Sequence, residues 1–139
     1  MTCEFCLIAT RQAEAEVVYE DVDNIAFFPL HPAALGHTLL IPKSHARDVF
    51  DISREAYASL SSSVWLMAQV LHRSLRPAGL NIINSTGRLA TQTIFHIHIH
   101  LVPRWPDDHM GDIWPQDRGG PDFDIQEIAR KIRAGVANS

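Results

Sequence analysis

What this chain of 139 residues lacks narrows its function first. Twelve Lys and Arg face sixteen Asp and Glu, for a net charge of −4, and the basic residues are scattered with no block among them. A phosphate polymer needs a basic stripe to release its counterions, so a nucleic-acid partner is not expected. No apolar run is long enough to span a bilayer, so no membrane partner is expected either. The opening Met1-Thr2-Cys3-Glu4-Phe5-Cys6 has neither a basic region nor an apolar h-region, so a secretory signal is not expected and the cytoplasm is. Only two cysteines are present, Cys3 and Cys6, at a Cys-x-x-Cys spacing. In a reducing compartment that spacing favours metal or redox chemistry over a structural disulfide. There is no internal repeat and no low-complexity tract.

What is present fits one globular domain over residues 1–139, able to bury roughly two-thirds of its unfolded surface. Composition agrees, at 46% hydrophobic and 20% charged. Val17–Glu20 and Ile25–Phe28 read as strands around the polar turn Asp21–Asn24, forming a hairpin, and Pro29 and Pro32 then break the ladder. Thr38–Ile41 is a third strand ended by Pro42, and its unbroken Leu39-Leu40-Ile41 predicts cover on both faces. Ser53 caps the one long helix, in which Tyr57, Leu60, Val64, Met67, Ala68, Leu71 and Leu75 hold helical spacing until Pro77 and Gly79. Leu80–Asn84 is a fourth strand. Residues 105–121 form a long loop, and Asp124 with Glu127 opens a short C-terminal helix through Ile128 and Ile132. The expected fold is therefore α+β, an antiparallel sheet of about five strands with helices on one side. A second subunit is the simplest cover for what remains open.

The strongest signal is Thr93–Val102, where histidine alternates with apolar residues at the period of a strand. Phe95, Ile97, Ile99 and Leu101 are expected on the core face, and His96, His98 and His100 on the other. Three histidines on one face, where Thr or Lys would serve a solvated strand, point to imidazole chemistry. Three classes compete. His-x-His can ligate zinc in a hydrolase, but no Asp or Glu lies between Gly87 and Arg104 to act as base. A neutral imidazole can attack phosphorus and form a labile phosphoramidate. A structural zinc site could also be built with the two cysteines. The preceding segment, Asn84 to Thr93, is rich in amide, hydroxyl, guanidinium and backbone N–H donors, which suits an oxyanion better than a cation. That favours the nucleophile.

Gln92-Thr93-Ile94-Phe95-His96-Ile97-His98-Ile99-His100-Leu101-Val102-Pro103-Arg104 resembles the signature of the histidine triad (HIT) nucleotide hydrolases and transferases. Cys3–Cys6, Val18–Asp21, Gly36–His45 and Asn81–Asn84 resemble further segments of the bacterial-type, zinc-bearing members, so residues 1–104 hold the motifs and 105–139 the loop and last helix. The resemblance implies a HIT-like fold that dimerises and a small nucleotide as ligand. It also implies cleavage at the α-phosphate of purine nucleoside phosphoramidates or dinucleoside polyphosphates, through a nucleotidyl-histidine intermediate. By similarity His98 attacks, His100 with Gln92 and Thr93 holds phosphate oxygens and assists the leaving group, Asn84 adds a phosphate contact, and His96 buttresses His98. Cys3, Cys6, His45 and His96 resemble the ligands of a structural zinc. Two positions depart from the pattern. Pro29 replaces an Asp that would grip the ribose hydroxyls, and Thr91 replaces a Gly before Gln92, which is strained if that position needs positive φ. The competing expectations are a nucleotide-binding regulatory protein with little turnover, and a metal-dependent hydrolase.

Overall fold

A computed structural model describes residues 2–117, 119–120 and 122–139. Five strands form one antiparallel sheet: β1 (Val17–Glu20), β2 (Asn24–Phe27), β3 (Thr38–Pro42), β4 (Gly79–Asn84) and β5 (Ile99–Arg104), in the spatial order β1-β2-β3-β5-β4. Three helices accompany it: α1 (Glu4–Ala9), α2 (Arg54–Leu75) and α3 (Ile125–Ala137). Every residue of β3 is buried, as its continuous apolar sequence requires of a strand covered on both faces.

The long helix forms as its sequence dictates. Ser53 Oγ accepts the Ala56 N–H at 3.1 Å, and the chain leaves α2 through Arg76 in the left-handed region just before Pro77. Leu60, Val64, Met67 and Leu71 lock its apolar face onto Ala26, Leu40, Ile97, Ile99 and Leu101, while Trp65 stays outside. That cluster is the main core.

The opposite face of the sheet holds a difference from expectation. The stretch holding Cys3 and Cys6 reads in the sequence as a short turn-like segment, but it opens a helix, α1, whose Phe5 and Ile8 pack on Ile25, Phe27, Leu39 and Ile41. Helices therefore lie on both sides of the sheet. A six-residue helix with no side-chain cap has almost no local stability of its own, so periodicity did not reveal it. Tertiary burial of Phe5 and Ile8 holds it.

The histidine stretch also differs. Its strand begins only at Ile99, and residues 94–96 form a bend ahead of it. The Ile97 N–H donates to the Ala46 carbonyl at 2.7 Å instead of entering the sheet ladder, so the stretch is pinned by the 43–48 loop. The alternation survives for Ile97, Ile99 and Leu101 but not for Phe95, which is half-buried beneath the guanidiniums of Arg47 and Arg88. Thr91 adopts φ 74°, so the position does take the left-handed conformation that a β-branched residue resists, at a cost of about 1–2 kcal/mol. Past β5, Arg104 grips Asp108 through Nε at 2.7 Å and Nη2 at 3.2 Å, and its Nη1 reaches Asn81 Oδ1 at 2.8 Å. This fork holds the Asp108 carboxyl well below the usual carboxylate range, with the Trp105 and Met110 N–H groups adding to it. The long loop thus leaves the sheet in a fixed direction. α3 is capped by Asp124, which accepts the Gln126 and Glu127 N–H groups, and buries none of its residues.

Candidate active site and metal centre

His98 is buried, 7% exposed, where the bent segment meets β5. Its Nδ1–H donates to the His96 carbonyl at 2.8 Å. That bond selects the tautomer, because the ring nitrogen facing a carbonyl must carry the proton. Nε2 is left with the lone pair. Burial pushes the His98 pKa below that of a free histidine, only partly opposed by the carbonyl bond, so the ring is neutral near pH 7. Phe5 of α1 sets its ring edge-on to His98, with centroids 5.1 Å apart, and confines the imidazole from the side.

His100 lies in β5 with its ring centroid 5.0 Å from that of His98. Its orientation depends on His37, which reads in the sequence as a loop or strand residue without a role in the site. The Ala33 N–H donates to His37 Nδ1 at 3.0 Å, so His37 carries its proton on Nε2. That Nε2–H donates to His100 Nδ1 at 2.9 Å. His100 must then hold its own proton on Nε2, where it is presented as a donor. Burial and the neighbouring His98 and His37 push the His100 pKa down to about 4, so in the free protein it donates as a neutral imidazole. Gly36 lets His37 enter this position: its φ is +85°, and a Cβ there would stand 2.7 Å from Leu75 Cδ1 and 3.1 Å from Pro103 Cγ. His37→Ala is expected to lower kcat on the order of 10²-fold by freeing the His100 tautomer. His37→Gln should recover part of that loss, and equal losses in both variants, with a matching fall in thermal stability, would mean a packing role only.

The expected phosphate contacts divide. Thr93 is exposed. Asn84 Nδ2 donates to the His98 carbonyl at 3.0 Å, so it steadies the His98 backbone. Gln92 is 2% exposed; its Nε2 donates to the Arg47 and Ile94 carbonyls at 2.9 and 3.1 Å, and its Oε1 accepts the Gly87 N–H at 2.9 Å. Its side chain is spent on shaping the loop that leads into the triad. A pocket of about 450 Å³, lined by Phe28, Pro29, Pro32, Ala34, Leu35, Gly36 and His37, reaches the site through His37. It is largely apolar and has no carboxylate beside Pro29. Trp105 Nε1–H donates to the Leu35 carbonyl at 3.0 Å, tying the long loop to the pocket wall. His31 is exposed and lines none of this wall. His72 on α2 and His109 in the long loop are exposed as well, apart from the triad.

Cys3, Cys6, His45 and His96 present one ligand atom each, all within 4.8 Å of one another, and could hold a metal ion. Their spacing fits zinc. The His45 and His96 Nδ1 atoms are 3.2 Å apart, and Sγ–Nδ1 separations are 3.4 and 3.5 Å. A tetrahedron with Zn–N and Zn–S bonds of ordinary length has N–N and S–N edges of about 3.3–3.6 Å and an S–S edge of about 3.8 Å. His96 Nε2–H donates to the Pro42 carbonyl at 2.8 Å, which turns the Nδ1 lone pair toward the thiols. Burial and the adjacent Cys3 push the Cys6 thiol pKa up, so two thiolates need a cation between them to coexist there. Four protein donors close the shell and leave no open position for catalysis. His96 thus serves twice: its ring joins the candidate metal cluster, and its carbonyl holds the His98 ring.

An antiparallel α+β sheet with a row of imidazoles entering one inner strand, beside a Cys₂His₂ cluster, defines a histidine-triad protein. The HIT domain model matches residues 10–107, and the chain belongs to that family. It is 34% identical over 140 residues to Protein hit of Bacillus subtilis, an alignment covering 99% of this chain and 96% of that protein. It is 27% identical over 137 residues to the adenosine 5′-monophosphoramidase hnt1 of Schizosaccharomyces pombe, covering 98% and 99% of the two chains. Among solved structures it resembles a Zn-bound histidine triad family protein from Mycobacterium smegmatis, with TM-score 0.75 and 34% identity over 99% of this chain and 95% of that one.

Proposed function

We propose that this protein is a nucleotide hydrolase or nucleotidyl transferase. It cleaves at the α-phosphate of purine nucleoside phosphoramidates or dinucleoside polyphosphates through a nucleotidyl group carried on His98. The observation that carries the reading is the His98 Nδ1–H bond to the His96 carbonyl, which leaves a neutral, desolvated Nε2 lone pair beside the His100 donor. In the first step a bond forms between Nε2 and phosphorus. The bond to the leaving nitrogen or oxygen breaks, and its electron pair departs with that atom. An amine leaves with a proton drawn from water, whereas a nucleoside phosphate leaves as the anion. His100 Nε2–H, Thr93 and the backbone N–H groups of the preceding loop stabilise charge on the phosphoryl oxygens, and Asn84 keeps the attacking residue in place. Water then attacks the same phosphorus, releases the nucleoside monophosphate and returns His98 neutral.

The pocket from Phe28 to His37 takes the nucleoside on apolar contacts, with the ribose held without a carboxylate at Pro29. The metal bound by Cys3, Cys6, His45 and His96 is zinc, and it supplies a rigid fastening for the N-terminus and the His96 ring. Among the described residues no helix is long and apolar enough to cross a membrane. We read residues 1–139 as one domain, 1–104 with the motifs and 105–139 as loop and last helix, working in the cytoplasm as a homodimer. Mass spectrometry of the intact protein after mixing with an AMP amide tests the mechanism. Transient addition of one nucleotidyl mass supports it, and tight AMP binding with no adduct and no turnover would instead mark a nucleotide-binding regulator.

The acid limb of the rate profile carries the sign of the His98 shift. Protonated His98 has no lone pair, so kcat/KM falls as pH drops through its pKa in the free enzyme. Burial moves that pKa down, so the midpoint of the limb is expected below pH 6.5, the ordinary histidine value. A limb centred at or above 6.5 would contradict a desolvated nucleophile.

A further inference from the structure

A second pocket, of about 390 Å³ and basic where the first is apolar, is lined by His45, Arg47, Arg88 and Phe95, and none of His96, His98 and His100 lines it. We propose that this pocket is an oxyanion site that takes a phosphate group between Arg47 and Arg88. Each guanidinium carbon lies 5.4 Å from the centroid of the Phe95 ring, so one aromatic platform orients two cations. A guanidinium laid on a ring keeps its N–H fork free at the edge, the geometry that binds phosphate in two-point fashion.

The charges on this platform are poorly compensated. Arg88 forms no ion pair with a carboxylate among the described residues. Arg47 approaches Asp48 only through Nε, at 3.6 Å, too long for a hydrogen bond. Asp48 Oδ1 accepts the Phe50 and Asp51 N–H groups, and Asp51 Oδ2 accepts the Arg47 backbone N–H, so both neighbouring carboxylates serve the loop's own backbone.

The two arginines are also held together from beneath. Buried Gln92 accepts the Gly87 N–H and donates to the Arg47 carbonyl, joining the segments that carry Arg88 and Arg47. A phosphate bridging the two side chains would clamp the same pair of segments from outside, one of which runs directly into Thr93 and the triad. The phosphate has two possible sources, free inorganic phosphate or the distal phosphates of a nucleotide whose α-phosphate lies at His98.

The test is a backbone-amide NMR titration of the full-length metal-loaded protein with inorganic phosphate, at constant ionic strength against chloride. Phosphate is expected to shift the amides of 45–48 and 87–89 saturably, and to do so equally with AMP saturating the triad cleft. Arg88→Gln is expected to weaken phosphate at least tenfold without changing AMP affinity, and Arg47→Gln with Arg88→Gln to abolish it. Equal affinity in the arginine variants, or loss of the phosphate shifts when AMP binds, would overturn the site. A second titrant, adenosine 5′-tetraphosphate, separates the sources. A tenfold loss in Arg88→Gln, with AMP unaffected, assigns the pocket to distal phosphates, and unchanged affinity assigns it to free phosphate. His98→Ala should leave all of these shifts in place, so failure of the catalytic reading and failure of this site are distinguishable.

Discussion

Replacing His98 with Ala is expected to abolish the nucleotidyl adduct and lower turnover of an AMP amide by roughly four orders of magnitude or more, the scale on which enzymes respond to loss of a nucleophile. The size follows from where the chemistry is concentrated. Nε2 of His98 is the lone pair that the surrounding bonds expose: Nδ1 is committed to the His96 carbonyl, and His100 Nδ1 is committed to His37. His100 cannot substitute, because its free nitrogen carries the proton. Stability is expected to fall by about 1–3 kcal/mol, because Ala removes a buried ring and leaves the His96 carbonyl without its donor, while the Asn84 bond to the residue-98 carbonyl stays intact. Measured kcat and intact mass, with circular dichroism as the folding control, decide it. Turnover within tenfold of the unaltered protein, by the same route, would remove His98 from the reaction.

Stripping the metal, or replacing Cys6 with Ser, is expected to lower the melting temperature by about 10 °C or more. A structural zinc contributes several kcal/mol of folding free energy, and a chain of this length shifts by a few degrees per kcal/mol. The loss should reach the triad because the cluster fastens both neighbours of His98. α1 carries Phe5, which stacks edge-on against His98 and His96, and His96 supplies the carbonyl that sets the His98 tautomer. Turnover is therefore expected to fall together with stability, and to return when zinc is restored. Metal analysis of the purified protein should find one zinc per chain. A protein that purifies without metal, takes none up and melts at the same temperature after chelation would show that the four ligands work as a simple packing cluster.

The sequence by itself determined most of the scaffold, since its signals are local. Ser53 and the apolar spacing from Tyr57 to Leu75 define α2, the run Leu39-Leu40-Ile41 defines a doubly covered strand, and the alternating histidines mark where the chemistry lies. The ligand set Cys3, Cys6, His45 and His96 came from resemblance, and the fold brings those four residues together. Tertiary structure alone decided the rest. α1 is too short to announce itself by periodicity and exists because Phe5 and Ile8 find an apolar sheet face. The bend before Ile99 follows from a hydrogen bond to Ala46, 51 residues earlier in the chain, which no pattern within residues 93–102 contains. The same holds for His37. Its identity is plain in the sequence, but its role comes from two hydrogen bonds, a local one from Ala33 on one ring nitrogen and a long-range one to His100 on the other. Which nitrogen of each histidine carries a proton is settled by what that nitrogen faces, and only the folded chain supplies the facing atom.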